Sequence, residues 1–256
     1  LGAPTDEAAI RRLGDEGALA MVCDSTNVFV EGEAGSEAGV REALGALIKS
    51  LTGKIAVACF ASNVARMDTV IRAAQASGRK VCLAGRSMHR MAAAARSVGL
   101  LEGIEPFIND DQAKHLPENE VLFLCTGSQG EARAALSRIA DGSHPHVKLG
   151  QGDHVIFSSR VIPGNEIPIR NLQNKLADRG VRLHTERDTP GIHVSGHPCR
   201  EELRQMYQWV RPEIAVPTHG ERSHLIEHAA FAKDLQVPYA VSPRNGDMVR
   251  LAPGKP

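Results

Sequence analysis

The chain has 256 residues, 42% of them hydrophobic and 23% charged, the balance of a soluble globular protein and not of a disordered one. Thirty Lys and Arg stand against thirty Asp and Glu, so the formal net charge is zero and any nucleic acid would need a local site, not bulk attraction. No apolar run approaches the roughly 18 residues of a membrane span, and the opening segment LGAPTDEAAIRRLGDEG has no signal-peptide core. Five cysteines at 23, 59, 82, 125 and 199 form no CxxC pair and read as reduced thiols of a cytoplasmic protein. The chain begins on Leu1 and reads as a piece of a longer polypeptide.

In chain order, short runs rich in Val, Ile and Leu alternate with amphipathic stretches. The runs at 19–23, 55–60, 81–84, 121–125, 155–157 and 181–183 predict buried parallel strands. The stretches at 36–50, 63–77, 87–98, 131–140 and 165–179 predict helices, with Ser36 and Asn63 as N-caps and Gly78 and Gly180 after C-termini. This alternation predicts an open, mostly parallel α/β sheet with helices on both faces over about residues 40–190. The flanks differ. Residues 1–35 give a short helix, one strand and a Gly/Glu-rich loop, and residues 190–256 begin at Pro190-Gly191 and carry helix, strand, helix and strand. They read as two edges of another domain into which the middle is inserted.

Histidines concentrate in the last quarter, at 193, 197, 219, 224 and 228. In Gly191-Ile-His-Val-Ser-Gly-His197, two imidazoles, a hydroxyl and glycine amides share one loop that could wrap a phosphate, or serve as a polar turn. His219 in Pro217-Thr-His-Gly-Glu221 follows an apolar run, at the strand end where α/β sheets bind ligands; an ordinary strand-to-helix turn fits as well. Asp24 ends another such run and could orient an imidazole, or form an Asx-turn. Cys59-Phe-Ala-Ser-Asn63 and Thr126-Gly-Ser-Gln-Gly130 are similar turns that open helices. His224-Leu-Ile-Glu-His228 matches an H-x-x-E-H zinc-peptidase pattern, but a zinc needs a third ligand and the segment also reads as a solvated helix face.

Many motifs, in order, carry a resemblance: Asp24-Ser-Thr-Asn27, Ser36-Glu37, Phe60-Ala-Ser-Asn63, Gly85-Arg-Ser-Met88, Cys125-Thr-Gly-Ser-Gln-Gly-Glu131, Ala135-Leu-Ser-Arg138, Phe157-Ser-Ser159, Ile162-Pro-Gly-Asn165, His193-Val-Ser-Gly-His197 and Pro217-Thr-His-Gly-Glu221. From about Asp6 to Leu251 the chain resembles bacterial ribonuclease J, of the β-CASP branch of the metallo-β-lactamase superfamily. The resemblance implies a parallel, flavodoxin-like β-CASP domain at 41–189, inserted between parts of a metallo-β-lactamase αββα sandwich at 1–40 and 190–256. It implies a metal-dependent ribonuclease, a 5′-to-3′ exonuclease on 5′-monophosphate RNA and also an endonuclease, in cytoplasmic RNA processing and decay. Two zinc ions per full-length protomer are expected, with manganese or magnesium possible, and a homodimer or homotetramer.

Carried over by position, Asp24 matches an acidic motif that orients His197, the proton donor. His219 matches one metal ligand, and Ser62, Asn63 and Val64 with the loop His193, Val194, Ser195, Gly196 and His197 match substrate-phosphate contacts. The family's HxHxDH motif, which carries most of its metal ligands, is not in the sequence, so the fragment is expected to be metal-poor and inactive alone, with apolar surface left exposed. The alternatives are a non-catalytic RNA- or nucleotide-binding module and the zinc peptidase suggested by HLIEH.

Overall fold

A computed structural model describes residues 5–254 and 256. In chain order the elements are α1 (Glu7–Glu16), β1 (Ala20–Asp24), α2 (Glu37–Ser50), β2 (Ile55–Ala58), α3 (Val64–Ala76), β3 (Lys80–Ala84), α4 (Arg86–Ser97) and α5 (Asp110–Lys114). A single 3₁₀ turn, Glu118–Glu120, precedes β4 (Val121–Cys125), α6 (Ala135–Ala140), β5 (His154–Phe157), α7 (Glu166–Ala177) and β6 (Arg182–His184). The last elements are α8 (Arg200–Val210), β7 (Ile214–Thr218), α9 (Arg222–Asp234) and β8 (Tyr239–Ala240). None of the described helices is long and apolar enough to cross a membrane.

The chain divides into two compact units, one formed by Ser36–Val194 and the other by the segments on either side of it. The 36–194 unit holds five parallel strands in the order β3-β4-β2-β5-β6. Side chains alternate across this sheet: in β4, Leu122 and Leu124 join the core shared with α2, α3 and α4, whereas Val121, Phe123 and Cys125 join the core under α6 and α7. Every residue of β2, β4 and β5 is buried, which explains the unbroken apolar runs IAVA and VLFLC. Each fully buried Leu or Ile contributes about 1.5–3 kcal/mol. Ser36 caps α2 by accepting the Gly39 N–H, and Asn63 caps α3 by accepting the Arg66 N–H.

The mixed parallel α/β class matches the sequence reading, and three details refine it. The strand order places β4 between β3 and β2, where the flavodoxin order would pair the first two strands directly. The helix expected at 131–140 starts only at Ala135, because Thr126 accepts the N–H groups of Ala135 and Leu136 and residues 131–134 are spent on a turn. The unit also extends beyond 41–189 at both ends: α2 brings Val40 into its core, and Ile192 packs there as well.

The second unit is thinner. Its three strands lie parallel in the order β1-β7-β8, over small cores built on Met21, Tyr207 and Ala215 and on Val28, Leu203 and Phe231. Gly14 lets α1 lie against α8, for a Cβ there would stand 2.2 Å from the Trp209 carbonyl oxygen. Pro217 sits inside β7 without cost. Ala215 turns its carbonyl toward the β8 side, where it accepts the Val241 N–H, and Thr218 turns its own toward β1. By that alternation the missing N–H of Pro217 falls on the β8 side, past the last β7–β8 pair, Ala215 with Ala240.

Candidate functional site

In the second unit, β1 and β7 run in register so that Asp24 pairs with Thr218, and the chain turns away just beyond each. Asp24 accepts the Thr26 N–H on Oδ1 at 2.8 Å, an Asx-type turn, and Ser25 N–H bonds Thr218 O at 2.7 Å. The turn's expected alternative role is therefore real, and it leaves Oδ2 free for another partner. That partner is His197, whose Nδ1–H donates to Oδ2 at 2.6 Å across 173 residues of sequence. Burial opposes ionisation of Asp24, but the hydrogen bonds from His197 and Thr26 outweigh it and hold the carboxyl below its usual range. The His197 side chain is half exposed. Its Nε2 makes no hydrogen bond among the described residues.

Asn27 secures the loop that carries His197. Its amide donates to His197 O at 2.9 Å and to Ser195 Oγ at 3.1 Å, and Ser195 Oγ in turn accepts the His197 N–H at 3.2 Å. Ser195, Gly196 and His197 belong to this unit. His219 is exposed, one residue past the Asp24–Thr218 pair, with φ of 60°. Such a left-handed backbone at a histidine is strained and persists only where its surroundings hold it. Gly220 follows at φ 77°, where a Cβ would meet His224 Cβ at 2.9 Å.

Behind Asp24 lies a buried polar chain. His228 is fully buried; its Nδ1 bonds Ser25 Oγ at 2.8 Å and its Nε2 bonds Tyr207 OH at 2.9 Å. Burial pushes this imidazole down to about 4, with Asp24 pulling the other way, so the ring is neutral and couples one donor to one acceptor. The zinc-peptidase reading of His224-Leu-Ile-Glu-His228 fails on these contacts. Both nitrogens of His228 are committed, His224 Nδ1 accepts the Glu221 N–H at 3.1 Å, and Glu227 pairs with Arg200 at 2.8 Å. Among the described residues no three of His, Cys, Asp and Glu come together as a metal site.

The remaining expected contacts lie in the 36–194 unit. Ser62 is exposed at the head of α3. Asn63 caps that helix, and its amide also donates to Glu37 Oε1 at 3.3 Å. The side chains of Val64 and Val194 pack against the core, which leaves only their backbone for a ligand. His193 faces Arg66, whose Nη1 lies 3.3 Å from its Nδ1. Burial and then Arg66 push His193 down to about 4, so it is a neutral ring accepting on Nδ1.

Arg66 is the residue sequence reading missed. It is wholly buried, donates to both oxygens of Glu37, and reaches Ser158 O at 2.9 Å and Ser158 Oγ at 2.6 Å. Ser158 Oγ donates onward to Ile192 O at 2.6 Å, so one guanidinium ties α2, α3 and the end of β5 to the start of the histidine loop. The available signal was its position: Arg66 stands one turn before Val70 on the buried stripe of α3. Tyr207 was missed for the opposite reason, since a tyrosine on an amphipathic helix reads as core.

Comparison with known proteins adds to this geometry. Residues 52–176 match the family described as Ribonuclease J, beta-CASP domain, and residues 191–240 match the Zn-dependent metallo-hydrolase RNA specificity domain. Ribonuclease J of Sinorhizobium meliloti is 47% identical over 99% of this chain and 45% of its own length. Ribonuclease J of Mycolicibacterium smegmatis is 41% identical over 99% of this chain and 46% of its own length. Ribonuclease J of Synechocystis is 38% identical over 96% of this chain and 39% of its own length. The chain thus spans under half the length of the curated relatives it matches.

Proposed function

This chain belongs to the ribonuclease J family, and from that premise we propose that the protein hydrolyses phosphodiester bonds in RNA, with His197 as the proton donor to the leaving oxygen and Asp24 as the residue that orients it. The observation that carries the reading is the 2.6 Å bond between His197 Nδ1 and Asp24 Oδ2. It fixes the tautomer, stabilises the imidazolium and presents Nε2–H outward. As the phosphorus–oxygen bond breaks, the departing oxygen takes that proton, and Asp24 stays ionised because its partners lower its pKa. Ser62, Asn63 and the loop from His193 to His197 are the groups we assign to the substrate phosphates.

The finer reading is a 5′-to-3′ exonuclease on 5′-monophosphorylated RNA that also cuts internally, in a cytoplasmic homo-oligomer; it rests on the family resemblance. Zinc enters on the likeness of residues 191–240 to a Zn-dependent metallo-hydrolase domain, with His219 as the ligand this chain would give. The described residues do not by themselves fit a two-metal centre, and no step above is routed through one.

The test compares wild type with His197→Ala in the full-length protein on a 5′-monophosphorylated RNA. The cleavage rate falls by about a hundredfold to ten-thousandfold while RNA affinity stays within a few fold. Equal loss of rate and affinity overturns the proton-donor role. Undiminished RNA binding by a wild-type protein that never cleaves favours the non-catalytic binding module.

A further inference from the structure

Asp24 and Asn27 both hold His197 from one short turn, Asp24 at the ring and Asn27 at the backbone carbonyl. Ser25 stands between them. It is fully buried, and each of its polar groups is bonded. Its N–H donates to Thr218 O at 2.7 Å, its carbonyl accepts the Val28 N–H at 3.1 Å, and its Oγ meets His228 Nδ1 at 2.8 Å. The first bond ties the turn to β7, and the last ties it to α9, 203 positions along the chain.

Ser25 is thus the peg on which the turn is set. A bond at its N–H alone leaves the turn free to pivot about the end of β1. A second bond at Oγ, to a different element, removes that freedom, and with it the swing of Asp24 and Asn27.

His228 is itself held. Its Nε2 bonds Tyr207 OH at 2.9 Å, and the two rings meet edge to face with centroids 5.7 Å apart. Packing alone does not call for such a residue, because a buried imidazole carries a desolvation cost that an apolar side chain on α9 would not. The helix that carries it also starts at the site. Glu221, the N-cap of α9, follows His219 and Gly220, and its N–H donates to His224 Nδ1.

We propose that His228 is a positioning residue for the His197 proton donor: through Ser25 it sets the turn from which Asp24 and Asn27 hold that ring. The proposal rests on the reading of His197 as the acid. His228 touches no substrate and moves no proton; it fixes the angle at which the Asp24 carboxylate meets the imidazole.

Two near-isosteres separate this role from plain stability. An asparagine amide reaches as far as the Nδ1 of the histidine it replaces, and a glutamine amide as far as the Nε2. His228→Asn therefore keeps a partner for Ser25 and gives up Tyr207, whereas His228→Gln keeps Tyr207 and gives up Ser25. Each loses one buried hydrogen bond, so both lower the melting temperature by similar amounts. In the full-length protein on a 5′-monophosphorylated RNA, His228→Gln is expected to lower kcat by about tenfold to a hundredfold with KM within about twofold, as a small misplacement of a catalytic group does. His228→Asn is expected to recover most of that rate. Ser25→Ala cuts the same bond from the other end and repeats the loss, and it replaces His228→Gln should that variant fail to fold. On top of His197→Ala, His228→Gln adds less than about a twofold loss, because a residue acting through His197 has nothing left to position.

Equal rate losses in His228→Asn and His228→Gln overturn the proposal, as does a full further loss on top of His197→Ala. Cleavage that depends on His197 but ignores Ser25 and His228 removes only the positioning role and leaves the proton donor standing. Cleavage that ignores His197, or a wild-type protein that never cleaves, removes the proton donor and this proposal together.

Discussion

The two compact units solve stability differently. The five-stranded sheet of residues 36–194 is buried on both faces, and the most deeply buried of its large polar side chains, Arg66, is saturated with acceptors. The three-stranded sheet of the other unit leaves Val22 65% exposed in the middle of β1 and rests on cores of only a few side chains. Around Asp24 it relies on bonded polar groups: Asn27, Ser25, His228 and Tyr207. Apolar area holds the first unit, and directional bonds hold the strand ends of the second.

The comparison can be broken most sharply at Arg66. Arg66→Ala removes a fully buried side chain, leaves Ser158 O without its donor and opens a void, at an expected cost of about 2–5 kcal/mol, measured by urea unfolding followed by circular dichroism. A cost under about 1 kcal/mol would mean that the buried guanidinium adds little to the sheet's own packing. Next comes acid. His228 is held at about 4 in the folded chain and returns to about 6.5 when unfolded, so the unfolded state binds the extra proton between those values. Its contribution is complete above pH 6.5 and is lost as the pH falls toward 4, by up to about 3 kcal/mol. Trp209, the chain's single tryptophan, lies in α8 of this unit and reports the loss by fluorescence. His228→Gln lowers stability at pH 7 and flattens the acid limb; an unchanged limb would move the titration elsewhere. The smallest effect belongs to Val22→Ser, within about 0.5 kcal/mol by the same fluorescence. A larger loss would show that this face is covered in solution.

Most of the doubly covered sheet was legible because burial on both faces writes continuous apolar runs. Ile55–Ala58 and Val121–Cys125 could not be solvated on either side and had to be internal. The short α5 and the bridge between Cys82 and Ile108 went unseen, since one turn of helix leaves no periodicity. The Asp24–His197 pair is of another kind. Nothing local to either residue signals a partner 173 positions away; the resemblance named both, and their bond is a product of the fold. Arg66 shows the opposite failure. A charged residue on a helix reads as surface unless its neighbours one turn on are weighed, and here those neighbours, Val70 and Ala74, are buried.

Pro217 has a bearing on self-association. A parallel sheet with an open edge invites a strand from another molecule, which grows by alternating donors and acceptors. On the β8 side of β7, the donor that would continue such a ladder past Ala215 is the one proline lacks. An incoming strand on that side would therefore stall before the turn that carries His219, so the proline guards the β8 side of β7, whereas the outer edge of β1, where Val22 stands in solvent, has no such guard.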